Sequence, residues 1–223
     1  RYLAEIKSVP SNMTGIIKGF SMKIMNLSTN QPIRVNMPKV RADVPLVVMF
    51  RALGIESERT MLNMIFGDLQ NTEYANMIRF MRMSFEDNME IYTQEKAIEY
   101  LCGISSVYGP KRGNFSRETL VRNMLHDDML PHLGRDYRKK AIFMGHMTLA
   151  LLKRQFGKLP TDDRDSYTNK RVENTGMLLT TLFQQYWNNK MIKDIRSFLN
   201  KEIRDGSWSS NKKYDEIINH TNI

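Results

Sequence analysis

The sequence predicts a mostly helical α+β fold with a small β-hairpin near the N-terminus, and three observations support this prediction. Residues 19–27 and 33–37 alternate loosely between apolar and polar side chains, and the STNQP sequence between them is typical of a turn. From residue 44 onward, apolar residues recur at helical spacings of three and four. Ser, Thr or Asp stands before most of these apolar runs, where a helix N-cap is expected.

These signals place the helices in order. Pro45 suits the first turn of a helix, because its missing N–H costs nothing there, and Gly54 ends that helix. Four further helices are predicted to begin near Ser57, Thr72, Thr93 and Ser116. The longest helix follows Asp136 and carries an apolar stripe formed by Ala141, Gly145, Leu149, Leu152 and Phe156. A last helical region runs from residue 172 to about 204, and any domain boundary is expected within 157–171.

The composition is that of a globular protein with an anionic partner. The 33 Lys and Arg against 24 Asp and Glu leave a net charge of +9, and nucleic acid is the commonest partner of such a surplus. A single cysteine, Cys102, excludes an internal disulfide framework and a cysteine-rich zinc site, and it suits an intracellular compartment. Because the chain has neither an 18-residue apolar run nor a signal-peptide pattern, we expect no membrane partner. The 17 methionines are expected to fill gaps in the core.

Two short motifs suggest chemistry but have plainer interpretations. HDDMLPH, residues 126–132, has two His and two Asp, yet His126 and His132 are separated by a proline and cannot share a helical face. We expect a helix C-terminus that runs into a turn, with Leu130 and Leu133 in the core. The GPKRG sequence at 109–113 is too short for a phosphate-binding P-loop. As a basic loop tip, it either contacts a phosphate backbone or is simply solvated.

The densest charge cluster is DDRDSYTNKR, residues 162–171. It combines the carboxylates of Asp162, Asp163 and Asp165 with the cations of Arg164, Lys170 and Arg171. Paired aspartates can hold Mg²⁺, but a guanidinium between them repels a divalent ion and is readily satisfied as an ion pair. We therefore predict no metal here. A network of salt bridges at the start of the last helix and a surface that binds a charged polymer both remain open.

At this point the sequence resembles the second-largest subunit of multisubunit DNA-directed RNA polymerases, of the eukaryotic, archaeal and viral type. The cluster and the residues after it, DDRDSYTNKRVENTGMLL, are similar to that family's Asp-Asp-Arg-Asp segment with its paired cations and a downstream Gly-x-Leu-Leu. Three further blocks match in the family's order: ADVPLVVMFRALGIES at 42–57, MLPHLG at 129–134 and KKAIFMGHMTLALL at 139–152. Four ordered blocks are far more specific than any one of them.

The resemblance implies a helical lobe domain at residues 1–160 and the incomplete start of the fork region at 161–223. It implies a piece of a larger subunit that lines the DNA cleft and docks other subunits. The expected partners are DNA, the largest subunit, smaller subunits and initiation factors. In that family the catalytic Mg²⁺ is held mainly by the largest subunit, so we expect this segment to contain no catalytic residue, metal or cofactor of its own.

The resemblance also gives the charge cluster a nucleic-acid-binding role. In bacterial relatives the corresponding last Asp and first paired cation belong to a pocket for an unstacked base of the non-template strand. Those positions are Asp165 and Lys170 here, with Arg171 and Arg164 beside them. The chain departs from the family at 166–168, where Ser-Tyr-Thr replaces a sequence such as His-Phe-Gly. The loss of that Gly is expected to affect the loop backbone, and bracing of the lobe–fork junction is the alternative role.

Two other classes of protein are weighed against this interpretation. One is a free-standing basic helical module that binds nucleic acid or protein. The other is a metal-dependent nucleotidyl- or glycosyltransferase built on the DDRD sequence. The polymerase interpretation implies an intracellular location, in the nucleus or, for a virus, in a cytoplasmic factory or the virion. The abundance of methionine and the divergent spacers favour a large DNA virus as the source.

Overall fold

The computed structural model describes residues 2–10, 17–25, 32–87, 89–106, 116–163 and 165–206. The chain divides into two compact units, Arg1–Asp162 and Asp163–Ile223, here called unit 1 and unit 2. Each unit has its own secondary structure and is described by itself. The assignment of residues 1–160 and 161–223 to a lobe and a fork stays a prediction.

Unit 1 begins with a four-stranded antiparallel sheet in the order β1-β2-β3-β4. Its strands are β1 (Leu3–Ser8), β2 (Lys18–Ile24), β3 (Ile33–Asn36) and β4 (Val44–Pro45). The predicted hairpin is confirmed as β2 and β3, in a register that pairs Ser21 with Asn36 and Ile24 with Ile33. Most of the predicted connection lies outside the described residues. The strands β1 and β4 were not predicted.

The alternation of the hairpin strands fixes which face is buried. Phe20, Met22 and Ile24 of β2 are buried, and so are Ile33 and Val35 of β3, whereas the residues between them are more exposed. Because side chains alternate between the two faces of a strand, this register places all five on the side of the core.

The helices of unit 1 follow the predicted order. They are α1 (Leu46–Ala52), α2 (Glu58–Phe66), α3 (Ala75–Glu86), α4 (Gln94–Ile104), α5 (Arg117–Asp127) and α6 (Tyr137–Gln155). Short 3₁₀ turns occupy Thr72–Tyr74 and Pro131–Leu133. The side chains of Thr93, Ser116 and Asp136 accept hydrogen bonds from backbone N–H groups of the first turns of α4, α5 and α6. Those three predicted N-caps are confirmed.

Three predicted helix details are wrong. Pro45 lies in β4 rather than in the first turn of α1, because the pairing of Val44 with Val35 extends the sheet up to the helix. Ser57 is the N-cap residue of α2, but its side chain accepts no hydrogen bond from that helix, so it does not cap the helix as expected. Phe156 lies beyond the last residue of α6 and is 38% exposed, so the apolar stripe of that helix does not extend to it.

The core of unit 1 lies between the helices and the inner face of the sheet. The helix α6 packs against α2, β1 and β2, and α1 packs against α3, α4, β3 and β4. At least ten methionines are buried, as expected for flexible gap-filling side chains. Gly145 of α6 marks the closest approach to α2, because a Cβ atom at that position would lie 2.6 Å from the Met64 carbonyl oxygen.

Unit 2 contains residues 163–171 of the charge cluster and the helical run that comes after them. It contains a 3₁₀ turn at Tyr167–Asn169, α7 (Thr175–Tyr186), a π-helical turn at Trp187–Ile192 and α8 (Lys193–Arg204). The last predicted helical region therefore corresponds to residues 175–204, and Asn174 caps its start by accepting from the N–H of Met177. Large apolar side chains along α7 are exposed, among them Leu179 and Phe183. No helix in the described parts of the chain is long and apolar enough to cross a membrane.

Candidate nucleic-acid interface

The charge cluster folds around Asp163. Its Oδ1 atom accepts a hydrogen bond from the backbone N–H of Asp165 at 2.9 Å. Its carbonyl oxygen accepts from the backbone N–H of Ser166 at 3.2 Å and from the Asn169 side-chain amide at 2.8 Å. Aspartate commonly closes a turn on its own backbone in this way. Asp163 therefore holds the loop together, and one of its carboxylate oxygens is already engaged.

Hydroxyl groups close the loop at residues 166–168, where the resemblance led us to expect an effect of a missing glycine. Ser166 Oγ lies 2.9 Å from Thr168 Oγ1 and accepts from the Thr168 backbone N–H at 3.4 Å. The N–H of Lys170 then donates to the carbonyl of Tyr167 at 3.3 Å. Thr168 is not among the residues with positive φ, so this loop forms without the conformational freedom of glycine. Whether the missing Gly alters the backbone relative to the family stays a prediction, and the Ser and Thr hydroxyl groups are the local contacts that close the loop here.

The structure brings two of the predicted site residues together. Lys170 Nζ lies 2.9 Å from Asp165 Oδ1, and their side chains are 52% and 83% exposed. An ion pair this exposed contributes at most about 1 kcal/mol to stability, because water screens both charges. The pair holds the two charged groups side by side, but it adds little strength to the loop.

Arg171 is directed to its own backbone. Its Nη1 atom donates to the carbonyl oxygens of Thr168 at 3.0 Å and Lys170 at 2.9 Å. Within the part of the chain that the structure describes, its Nε and Nη2 atoms have no partner and remain free to donate to an anion. Arg164, the fourth predicted residue, lies outside the described residues. The Tyr167 side chain beside the cluster is 94% exposed.

The exposed cluster combines groups that suit a nucleic acid. A carboxylate accepts from the exocyclic amine of a base, and a cation binds phosphate or a base oxygen. Among the described residues, no three His, Cys, Asp or Glu side chains converge closely enough to hold a metal ion.

HDDMLPH in unit 1 is a structural junction, in which each charged side chain has its own partner. Asp127 binds the Arg135 guanidinium with both oxygens, at 3.0 and 3.3 Å. Asp128 is buried and contacts Lys18 Nζ at 2.8 Å and Lys39 Nζ at 2.6 Å. Burial raises the pKa of the Asp128 carboxyl, but hydrogen bonds and charge from the two lysines outweigh it, so the net pKa is lowered.

The two histidines of this junction are also engaged separately. His126 stacks on Tyr137, with ring centroids 4.4 Å apart, and its Nδ1 lies 3.2 Å from the Arg135 carbonyl oxygen. His132 Nδ1 lies 2.6 Å from Ser8 Oγ, which also accepts from the His132 backbone N–H. Burial, and then the charge of Lys140, lower the pKa of His132. The expected helix C-terminus followed by a turn is confirmed, with Leu130 fully buried.

Lys140 is a buried cation that sequence reasoning missed. Its Nζ donates to the carbonyl oxygens of Leu125 and His126 at 2.7 and 2.6 Å, which are orphan acceptors at the end of α5. Burial lowers the pKa of Lys140 to about 8. The available signal was its position next to Ala141 and four residues before Met144 on the buried side of α6.

The GPKRG loop tip, the other basic site considered, lies outside the described residues.

Comparison with known proteins gives consistent matches over most of the chain. The family model of RNA polymerase Rpb2, domain 2, matches residues 7–173, which include the whole charge cluster. The DNA-directed RNA polymerase II subunit 2 of Arabidopsis thaliana is 30% identical over 214 residues, which are 92% of this chain and 18% of that protein. The RPB2 subunit of Schizosaccharomyces pombe is 30% identical over 207 residues, covering 90% of this chain and 16% of its own.

An archaeal protein matches in the same way. The DNA-directed RNA polymerase subunit Rpo2N of Methanococcus vannielii is 30% identical over 174 residues, which are 76% of this chain and 33% of that protein. The chain thus spans a small part of these relatives, about a sixth of the two eukaryotic subunits and a third of the archaeal one.

Proposed function

The chain belongs to the family of RNA polymerase Rpb2, domain 2, and from this we propose that it works as the lobe and the start of the fork of a DNA-directed RNA polymerase. In this proposal it lines the DNA cleft and offers docking surfaces to the largest subunit, smaller subunits and initiation factors. The observation that carries the proposal is the family match over residues 7–173, because it covers almost all of unit 1 and ends just after the charge cluster.

The architecture of the chain supports a guiding role rather than a catalytic one. Unit 1 has a closed core, and its charged clusters are engaged in internal contacts such as those of Asp128 and Lys140. We propose that nucleotidyl transfer, and the Mg²⁺ that it needs, belong to other parts of the assembled enzyme. Among the described residues, no three His, Cys, Asp or Glu side chains are grouped so that they could hold a metal ion.

For the charge cluster we propose contact with the DNA strand. The Lys170–Asp165 pair is exposed, so a base or phosphate displaces it at little cost. The unpartnered Nε and Nη2 of Arg171 and the exposed ring of Tyr167 lie on the same short loop. The weakness of the ion pair argues against bracing as its main role. Arg164 is assigned to the same contact by its position in the motif.

The cellular location that we infer for this protein follows from the proposed assignment to an RNA polymerase. We infer an intracellular protein, in the nucleus if the source is eukaryotic, or in a cytoplasmic factory or the virion if it is viral. The compartment in which the tagged native protein accumulates distinguishes these alternatives.

The test uses the native polypeptide that contains this chain. An affinity tag on that polypeptide is expected to recover a largest RNA polymerase subunit and an activity that extends RNA on a tailed DNA template. A photo-crosslinking amino acid at Tyr167 is expected to form adducts with DNA in that complex, whereas the same group at Lys96 of α4 serves as the comparison position. Recovery of the polypeptide alone, without RNA synthesis, supports a free-standing basic module and contradicts the proposal.

A further inference from the structure

Three cations lie in the last turn of α6 and just after it, Lys153, Arg154 and Lys158, and each contacts neutral groups. The Arg154 guanidinium carbon lies 4.7 Å from the centroid of the Tyr2 ring, and its Nη1 donates to the Leu159 carbonyl oxygen at 3.1 Å. Its Nε atom is buried and has no hydrogen-bond partner in the described structure. Arg154 is therefore held by a ring and a carbonyl rather than by a carboxylate.

The two lysines reach a common neighbour, the 3₁₀ turn at Thr72–Tyr74. Lys153 Nζ lies 5.7 Å from the centroid of the Tyr74 ring, and Lys158 Nζ donates to the Glu73 carbonyl oxygen at 3.0 Å. The three cations and this turn are called the α6-end patch. Lys153 and Lys158 share this turn as a neighbour, and Arg154 follows Lys153 directly in the chain.

The positive charge of the α6-end patch is not neutralised. Over the described residues, none of its three cations forms a salt bridge with a carboxylate, whereas Lys18, Lys39 and Arg135 elsewhere in unit 1 do. Contacts with rings and carbonyl oxygens restrict these side chains while leaving their full charge. Such a patch is preorganised for an anion that comes from outside unit 1.

In the sequence, an aromatic residue, Phe156, lies between Arg154 and Lys158. Phe156 is 38% exposed and meets Phe80 edge to face, with ring centroids 5.8 Å apart. Proteins that bind single-stranded nucleic acids combine cations along the backbone with rings on which unpaired bases stack. The interaction of cations with the negative end of a helix dipole accounts for Lys153 and Arg154 in the last turn. It accounts neither for Lys158, which lies past the helix end, nor for the exposed ring.

We propose that the α6-end patch binds single-stranded nucleic acid, with phosphates on Lys153, Arg154 and Lys158 and an unpaired base stacked on Phe156. The choice of nucleic acid as the anion rests on the proposed function, but the site is separate from the charge cluster at 162–171. A paired base has no free face inside a duplex, so the ring selects a single strand. The chemical class of ligand is a phosphodiester strand of any sequence, because every base has a face that stacks.

The test measures the anisotropy of fluorescein-labelled oligothymidylate as the 223-residue chain is added. The patch variant combines Lys153→Gln, Arg154→Gln and Lys158→Gln. The control variant removes the same charge from three exposed cations elsewhere in unit 1, by Arg59→Gln, Lys96→Gln and Lys139→Gln. Thermal unfolding of all three proteins verifies that they fold.

The patch variant is expected to bind at least about tenfold more weakly than the control variant. Each phosphate contact on a single strand adds about 0.7 to the slope with which log K decreases as log salt rises. The patch variant loses three such contacts, so its slope is expected to be smaller by about 2 than that of the unaltered chain. Equal losses of affinity in the patch variant and the control variant overturn the proposed binding role of the α6-end patch. They leave the proposed cleft-lining role of the chain intact. No binding by the unaltered chain at low salt also overturns it.

A second pair of variants tests the stacked base. Phe156→Ala is expected to weaken binding of oligothymidylate about fivefold or more, with little change for a duplex of the same length, because stacking on a ring is lost. Phe156→Leu keeps an apolar side chain against Phe80 and removes only the aromatic face. Equal losses for single strand and duplex contradict the stacking arrangement. Displacement by polyglutamate as effective as by unlabelled oligothymidylate indicates an acidic protein partner instead and also overturns the proposal.

Discussion

Gly145 of α6 lies directly against Met64 of α2, so close that an added Cβ atom would be 2.6 Å from the Met64 carbonyl oxygen and 2.9 Å from its carbonyl carbon. Both contacts are with backbone, which cannot rotate away as a side chain can. The spacing of the two helices therefore depends on the absence of a side chain at this position. A substitution that adds a side chain at Gly145 is therefore expected to lower the free energy of unfolding.

Gly145→Ala is expected to destabilise the chain by about 1–3 kcal/mol, because α2 and α6 must separate or shift. Urea unfolding followed by circular dichroism measures the change. The matched control is Gly103→Ala, in α4, where an added Cβ meets nothing within 4 Å. That variant is expected to gain about 0.5–1 kcal/mol from helix propensity. Similar effects of the two substitutions would refute the close approach of α2 and α6.

Asp128→Asn is expected to cost about 1–3 kcal/mol at neutral pH, because Lys18 and Lys39 lose a buried charged partner. The pKa of Asp128 is lowered in the folded chain, so its contribution is present above the ordinary value of 3.8 and lost as pH falls through the folded pKa. The difference between the unaltered chain and the variant should therefore shrink at acid pH. Asp127→Asn, which breaks the exposed pair with Arg135, is the control and should cost at most about 1 kcal/mol.

Lys140 is expected to make the free energy of unfolding depend on pH in the alkaline range, whereas Asp128 does so at acid pH. Its pKa is lowered from 10.5 to about 8 in the folded chain, so the unfolded chain binds more protons between these values. This group therefore raises the free energy of unfolding as pH rises from about 8 to 10.5, by up to about 3 kcal/mol. Chemical denaturation of the unaltered chain and Lys140→Met across this range should show the rise only in the former. Parallel curves would exclude a buried, titrating Lys140.

Asp165→Ala is expected to leave the stability of the isolated chain unchanged within about 0.5 kcal/mol, since its partner Lys170 is half exposed. In the assembled enzyme we expect it to alter pausing or the lifetime of the open complex more than the chemical step. Single-round transcription with Glu173→Ala as the control separates these effects. A variant whose only defect is thermal unfolding of the chain would instead support the bracing role.

The isolated chain is expected to bind duplex DNA weakly and without sequence preference, because the interaction comes from its net charge of +9. Two duplexes of unrelated sequence should give the same affinity, and added salt should weaken both in parallel. A clear preference for one duplex would point to base-specific contacts and against this electrostatic account.

The predictability of the fold depended on how local each signal is. The starts of α4, α5 and α6 were predictable because the capping side chain and the N–H groups it binds lie within three residues of each other. The strand β1 was not, because its partner residues are far along the chain, as when Leu3 pairs with Lys23. Its sequence, LAEIKS, is too short and too evenly mixed to predict a strand by itself.

The same distinction applies to the candidate site. Asp165 and Lys170 could be selected as candidate site residues because both belong to the family motif, whereas their ion pair with each other was not predicted. The role of Asp163 as the centre of the loop depends on backbone geometry that composition does not determine. The α6-end patch depends on Tyr2 and on residues 73–74, which are far from Lys153 in sequence and meet it only in the folded unit.

The methionine-rich core has a consequence for the chemical durability of unit 1. Thioethers such as those of Met22, Met49 and Met144 are shielded from oxidants while unit 1 is folded, and they become accessible when it opens. Each sulfoxide that forms in the open state is polar and cannot be buried again without cost. Oxidative damage should therefore accumulate at a rate set by unfolding, and every oxidised chain should reopen more readily than an undamaged one.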